Sequence, residues 1–259
     1  MDDKIYRIIV GIDISTTCTG VSIVSYDGEN TKVLYIDRIK FKSSRKIKGT
    51  ELLFYKSKQF KEIFIEKIKG IQVTDIIIEE PLPNSQNLET VNSLLKFNGM
   101  ISQSIYEATG IVPKYISSYD ARKYAFPELM SIRKYNKKGE EYDIEKIRKA
   151  IKNNELVLFG SYSWDCSKKF ILWSKIAEMY PDIKWVYNKK QELKTENFDA
   201  SDSLICVLGQ ISKEKYKNTK PMILESNETK ININNNIINK VQYKVLFCDK
   251  TFDKVIEFS

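Results

Sequence analysis

The sequence predicts an α/β fold with a mixed five-stranded sheet, three antiparallel strands followed by parallel ones, flanked by helices and carrying an insertion and a β-rich C-terminal tail. Two observations carry this. Residues 5 to 41 hold three β-rich runs, RIIVGID, GVSIVSYD and KVLYIDRIKF, separated by the turn-like segments STTCT and GENT. After them, strand-like and helix-like segments alternate, giving the order βββαβαβα.

The three runs read as an antiparallel meander. From Gly49 to about Lys69, Leu53, Phe60, Ile63, Phe64 and Ile68 recur near the helical period, so one amphipathic helix follows. DIIIEEPLP is a short apolar run stopped by Pro81 and Pro83, as expected of a buried parallel strand. A second helix is predicted over Leu88 to Thr109, closed by Gly110. VPKYISS then reads as a strand and SYDARKYAF as a short helix.

Residues 128 to 166 break the pattern with a charged, helix-prone stretch that includes Arg133, Lys134, Lys137, Lys138, Lys146, Arg148, Lys149 and Lys152, and read as an insertion. KKFILWSKIAEMY and FDASDSLICVLGQIS follow as helices, the second able to turn Leu204, Ile205, Val207 and Leu208 inward. From about Lys213 the alternating stretches KVQYKVLFCD and KVIEF suggest a small β-rich appendage. The expected organisation is one domain over 1–212, interrupted at 128–166, and an appendage over 213–259.

Composition excludes several function classes. The chain contains no histidine, which removes Ser-His-Asp and Cys-His catalysis, HExxH zinc sites and histidine general bases together. Catalysis must therefore run on carboxylates, lysine, tyrosine or metal. Cys18, Cys166, Cys206 and Cys248 are too scattered for a CxxC zinc pattern or a disulfide framework and are expected to be buried, reduced thiols. No apolar run approaches the roughly 18 to 20 residues of a membrane span, and the N-terminus lacks a signal-peptide pattern. A soluble, cytoplasmic protein without membrane partners is expected.

The net charge of +8 favours an anionic partner such as nucleic acid. Lysines number 36 and arginines only 6. Lysine is a point charge for phosphates, whereas arginine is the usual bidentate reader of bases, so backbone shape is favoured over base sequence.

Three acidic features stand out. Asp13 ends the first strand in GIDISTTCTG, where the glycine lets the backbone turn and a carboxylate is left at the carboxyl end of a strand, the edge that ligand sites favour. Its alternative is to start the turn before Ser15 and Thr16. Glu79 and Glu80 follow three isoleucines at the same edge of a later strand. A buried charge there needs a partner or a metal, although both acids can instead face solvent. Neighbours on a strand face opposite ways, so only one joins a common site: Glu79, with Glu80 in reserve. Asp199 and Asp202, three apart on a helix, differ by roughly 60° and share one face. The same spacing also suits an ordinary helix start.

In combination, GID near the N-terminus, the IEE strand end and DASDSL after a long helix resemble RuvC-type Holliday-junction resolvases of the ribonuclease H-like superfamily. The resemblance covers roughly residues 5 to 212. It implies that Asp13, Glu79, Asp199 and Asp202 are catalytic, metal-binding acids. It further implies two Mg²⁺ or Mn²⁺ ions per site, branched DNA as partner, a two-fold homodimer that cuts paired strands, and products with 3′-hydroxyl and 5′-phosphate ends. The compact, lysine-rich form is similar to viral or phage branches, which would place the protein in the host cytoplasm.

Such chemistry needs acids. Phosphodiester hydrolysis requires an activated water and relief of negative charge, two cations supply both, and hard cations prefer oxygen ligands. Lys123, Lys168 and Lys169 are candidates for holding phosphates, with surface solvation as the alternative for each. Tyr119, Tyr124 and Phe126 are candidates for stacking on a branch point, with core packing as the alternative.

Two competing readings follow from the same residues. GIDISTTCTG is also similar to the first phosphate loop of actin-like and sugar-kinase-like ATPases, but the chain has only 10 glycines and no late Gly-Gly pair for an adenosine motif. A non-catalytic DNA-binding protein on a nuclease-like core is the other, and the presence of all four acids argues against it.

Overall fold

The computed structural model describes residues 6–43, 46–81, 88–130, 143–154, 168–233 and 236–258. The chain divides into two compact units, Met1–Ala121 with Ser167–Gln210, and Arg122–Cys166 with Ile211–Ser259.

The first unit is built on a five-stranded sheet in the order β3-β2-β1-β4-β5. β1 (Arg7–Asp13), β2 (Cys18–Tyr26) and β3 (Thr31–Lys40) form the antiparallel meander. β4 (Asp75–Glu79) pairs parallel to β1, and β5 (Lys114–Ile116) parallel to β4. Each parallel crossover carries a helix, α1 (Gly49–Ile68) before β4 and α2 (Leu88–Thr109) before β5. α2 ends at Gly110, whose φ of +71° is the left-handed conformation that a side chain disfavours. α3 (Ser118–Ala125), α5 (Lys168–Met179) and α6 (Glu196–Tyr216) follow.

Strand alternation divides the sheet into two faces. Val10, Ile12, Val21, Ile23, Ile76 and Ile78 pack against Phe60 and Phe64 of α1 and Phe97, Ile101 and Ile105 of α2. Each of these fully buried side chains contributes roughly 2 to 3 kcal/mol of transfer free energy. The opposite face carries Ile9, Gly11 and Asp13, together with their cross-strand partners Val24, Ser22 and Gly20. α6 lies directly on it. A Cβ on Gly11 would come within 2.1 Å of the Ser203 carbonyl oxygen, and one on Gly20 within 1.9 Å of the Asp199 carbonyl oxygen. This corrects the role expected of Gly11. It sits inside β1 paired with Ser22 and makes no turn, and its missing side chain is the space α6 occupies.

The second unit joins segments that the sequence reading assigned separately to an insertion and a tail. A three-stranded antiparallel sheet of β6 (Met222–Ile233), β7 (Asn236–Phe247) and β8 (Lys250–Phe258) packs Val241, Tyr243, Val245 and Phe247 against Tyr124, Met130 and Ile147 of α4 (Ile144–Lys152). Arg148 pairs with Glu228, and buried Lys254 donates to the carbonyls of Glu128 and Met130, closing the turn Pro127–Leu129 onto β8. Burial pulls the Lys254 ammonium down to about 8. Arg133, Lys134, Lys137 and Lys138 lie outside the described residues, while Lys146, Arg148, Lys149 and Lys152 are on α4.

Among the described residues, Cys18, Cys206 and Cys248 are buried, and Cys166 lies outside them. No described helix is long and apolar enough to cross a membrane.

Candidate active site

The carboxyl ends of β1 and β4 and the start of α6 form the candidate site. Gly11 of β1 is paired with Ile77 of β4, so Asp13 and Glu79, each two residues further on, lie on the same face of the sheet, the face that α6 covers. Glu79 is half-buried, with the Cys206 thiol of α6 donating to its Oε2 at 3.9 Å. Glu80 falls on the opposite face and is exposed, its backbone N–H given to the Ile116 carbonyl.

Three contacts fix where α6 starts. Glu196 pairs with Arg38 (3.1 Å) and Lys40 of β3. Asn197, 2% exposed, clamps Val186 through both its amide atoms, accepting from the Val186 N–H and donating to its carbonyl. Gly20 admits the Asp199 backbone. The helix therefore begins three residues before Asp199, which takes the capping position away from that side chain. Asp202, one turn on, is 4% exposed.

Electrostatics tie the four acids together. Burial raises the Asp13 carboxyl well above its usual range, and the negative charges of Glu79, Asp202 and Asp199 raise it further, while Lys169 opposes them. Lys169, on α5, stands 3.7 Å from both Asp199 Oδ1 and Asp202 Oδ2. The Cys18 thiol, buried and hydrogen-bonded to Asp199, is pushed up to about 12 by burial first and the Asp199 charge second, so it stays protonated at neutral pH.

The turn after β1 is held by the Ser15 hydroxyl, bonded to the Cys18 N–H (3.1 Å) and carbonyl (2.6 Å), which leaves Asp13 out of the turn-starting role. The other candidates are distributed differently. Lys123 stacks over the rings of Tyr124 and Phe247 in the second unit. α5 begins at Lys168, whose side chain lies outside the described set. Tyr124 and Phe126 are buried, as core residues are, and Tyr119 is exposed.

Among the described residues, no three Asp, Glu or Cys side chains converge at ligand spacing. The donor set still suits a hard divalent cation, because it is all carboxylate oxygen, it repels itself at Asp13, and one lysine already stands between two of its members.

No family model and no curated protein matches this sequence. Solved structures do. RuvC of T. thermophilus in complex with a Holliday junction substrate aligns over 83% of this chain and 99% of its own, with a TM-score of 0.50 and 11% identity. The fold is ribonuclease H-like. A second structure of Thermus thermophilus RuvC aligns over 83% of this chain and 100% of its own (TM-score 0.45, 13% identity). The yeast mitochondrial Holliday junction resolvase Ydc2 aligns over 82% and 81% (TM-score 0.46, 13% identity). In the ribonuclease H-like unit of this chain, Asp13, Glu79, Asp199 and Asp202 are contributed by the first strand, the fourth strand and the last helix.

Proposed function

We propose that this chain is a metal-dependent endodeoxyribonuclease that selects branched DNA and resolves Holliday junctions or related structures by phosphodiester hydrolysis. The observation that carries the reading is Asp13, a strand-end carboxyl that feels the charges of Glu79, Asp199 and Asp202 at one edge of a ribonuclease H-like sheet.

Asp13, Glu79, Asp199 and Asp202 are the residues that would hold Mg²⁺ or Mn²⁺. Bound there, the ions supply an activated water and charge relief at the scissile phosphate. Strand pairing puts Asp13 and Glu79 on one face of the sheet, and one helix carries Asp199 and Asp202 over that face, so bound ions would draw the four carboxylates the rest of the way together. Lys169 is positioned to pass its charge from the two aspartates to a phosphate oxygen as substrate arrives. The lysine-rich composition suits recognition of backbone, and a two-fold homodimer presents one site to each of the paired strands.

The test is Mg²⁺- or Mn²⁺-dependent cleavage of synthetic four-way, three-way and flap DNAs, with Asp13→Asn and Asp202→Asn as controls. Cleavage of at least one branched substrate, lost in both variants, is expected. Inertness toward all of them, or undiminished cutting by both variants, sinks the reading.

A further inference from the structure

A cavity of about 410 Å³ opens between the turn that follows Asp13 and the first two turns of α2. Hydroxyl side chains line most of it: Ser15, Thr16 and Thr17 from the turn, Thr90 and Ser93 from the helix. Glu89 also lines it and is exposed. The turn leaves β1 at the same sheet edge as the candidate site, with Ser15 only two residues beyond Asp13.

Beneath this turn lies a cation that the sequence pattern did not anticipate. Lys56 is on α1 among the buried positions Leu53, Ser57 and Phe60, and is 7% exposed. Its Nζ donates to the Thr16 carbonyl at 2.6 Å, and among the described residues no carboxylate pairs with it. An ammonium has three N–H donors, and a single carbonyl neither satisfies all three nor neutralises the charge. Burying such a charge is costly unless an anion compensates it. Lys56 does not itself line the cavity but holds Thr16, which does, and a hydroxyl-lined cavity one residue from a buried cation matches the chemistry of a phosphate, whose oxygens accept hydrogen bonds and carry the balancing charge. The volume also admits the attached sugar, which favours a phosphate within a strand over a free ion.

We infer that this cavity holds a backbone phosphate of the DNA strand being cut, within a few nucleotides of the scissile bond, and so sets which phosphate reaches the acids. The inference rests on the nuclease reading. Hydroxyl donors do not distinguish bases, so this site fixes register along the strand and confers no sequence preference. Glu89 opposes it by like charge, which keeps the strand releasable.

The experiment uses the full chain and a four-way junction in which neutral methylphosphonates replace, one at a time, the phosphates flanking the cut. Binding is read by fluorescence anisotropy with Ca²⁺ in place of the catalytic cation, and cleavage is read in Mg²⁺. Wild type is expected to lose roughly tenfold in affinity at one flanking position, the effect of removing a charged hydrogen-bond partner. The Thr90→Val/Ser93→Ala variant loses a similar factor on native DNA and nothing further at that position, whereas Glu89→Gln binds native DNA more tightly. Lys56→Met behaves as the double variant does. Should it fail to fold, the two α2 hydroxyls, neither of them in the core, carry the test alone. Wild type that binds and cuts the junction, with variant and methylphosphonate losses that simply add at every position, overturns this site and leaves the nuclease reading standing. Wild type that neither binds nor cuts any branched DNA overturns both.

Discussion

The backbone of Asp199 rests on Gly20, so close that a single methyl group there would come within 1.9 Å of the Asp199 carbonyl oxygen. Helix α6 delivers two of the four acids, and its height above the sheet is set by Gly20 and Gly11 having no side chains. Gly20→Ala is therefore expected to push the start of α6 outward. Overpacking of this kind costs about 1 to 3 kcal/mol. Displacement of Asp199 and Asp202 should lower cleavage at least tenfold. Gly99→Ala is the control, since nothing lies within 4 Å of a Cβ there and the residue is inside α2. That change should add roughly 0.5 to 1 kcal/mol of stability and leave cleavage intact. Urea denaturation with a nuclease assay on the same preparations decides it, and a Gly20→Ala protein as stable and active as wild type would refute the packing argument.

Asp13 carries a conflict between stability and chemistry. Its pKa is raised in the folded chain, so the folded state binds a proton more tightly than the unfolded one. The sign follows: stability falls as pH rises from the ordinary carboxylate range near 4 through the raised folded value, because the native state must then hold an unfavourable charge. Asp13→Asn removes that charge. It should abolish cutting and, in EDTA at neutral pH, melt higher than wild type by about 2 to 4 °C, the shift expected per kcal/mol in a domain of this size. Added Mg²⁺ should narrow the gap by stabilising wild type alone. Differential scanning calorimetry across pH 4 to 8 tests both statements, and a variant that melts lower than wild type throughout would contradict the repulsion at this site.

Much of the fold was legible in the sequence, for identifiable reasons. The bounds of α2 were readable because Gly110 ends it in a conformation that suits glycine, and DIII read as a buried parallel strand because both its faces are covered. The four acids were named from their order along a resembling fold, since each alone admits a local role. What removes those local roles is non-local. Arg38, Lys40 and Val186 start α6 before Asp199, and Ser15 takes over the turn after Asp13. Lys56 was missed because a lysine within an amphipathic pattern reads as solvated, and its burial depends on the Thr16 carbonyl, 40 residues away in sequence. The second unit was divided between insertion and tail because its ties, Lys254 to the Glu128 carbonyl and Arg148 to Glu228, join segments 126 and 80 residues apart that share no periodic signal.

Glu79 and Glu80 offer a direct comparison on adjacent residues. Register places Glu79 with Asp13 under α6, while Glu80 is exposed on the other face. Glu79→Gln should reduce cleavage by at least a hundredfold with little change in junction binding, as expected when a group acts in the transition state. Glu80→Gln should stay within a few-fold of wild type. Single-turnover cleavage alongside anisotropy binding separates the two, and the reverse order of sensitivity would require β4 to be shifted by one residue.

Asp75, at the opposite end of β4, predicts how the first unit responds to acid. Burial by itself would raise this carboxyl, but hydrogen bonds from Arg7, Lys114 and Thr74, each at 2.9 Å, override it and hold the group well below the usual carboxylate range. A depressed folded pKa contributes stability above the unfolded value near 4 and loses it as pH falls below that value toward the folded one. Because Lys114 is half exposed, the contribution is discounted to about 1 to 2 kcal/mol. Asp75→Asn should therefore be less stable than wild type by that amount at pH 7, and the difference should shrink steadily between pH 4 and pH 2. Urea melts of the two proteins at matched ionic strength measure it. A difference that stays constant down to pH 2 would mean that packing at the start of β4, and not the carboxylate, accounts for the loss.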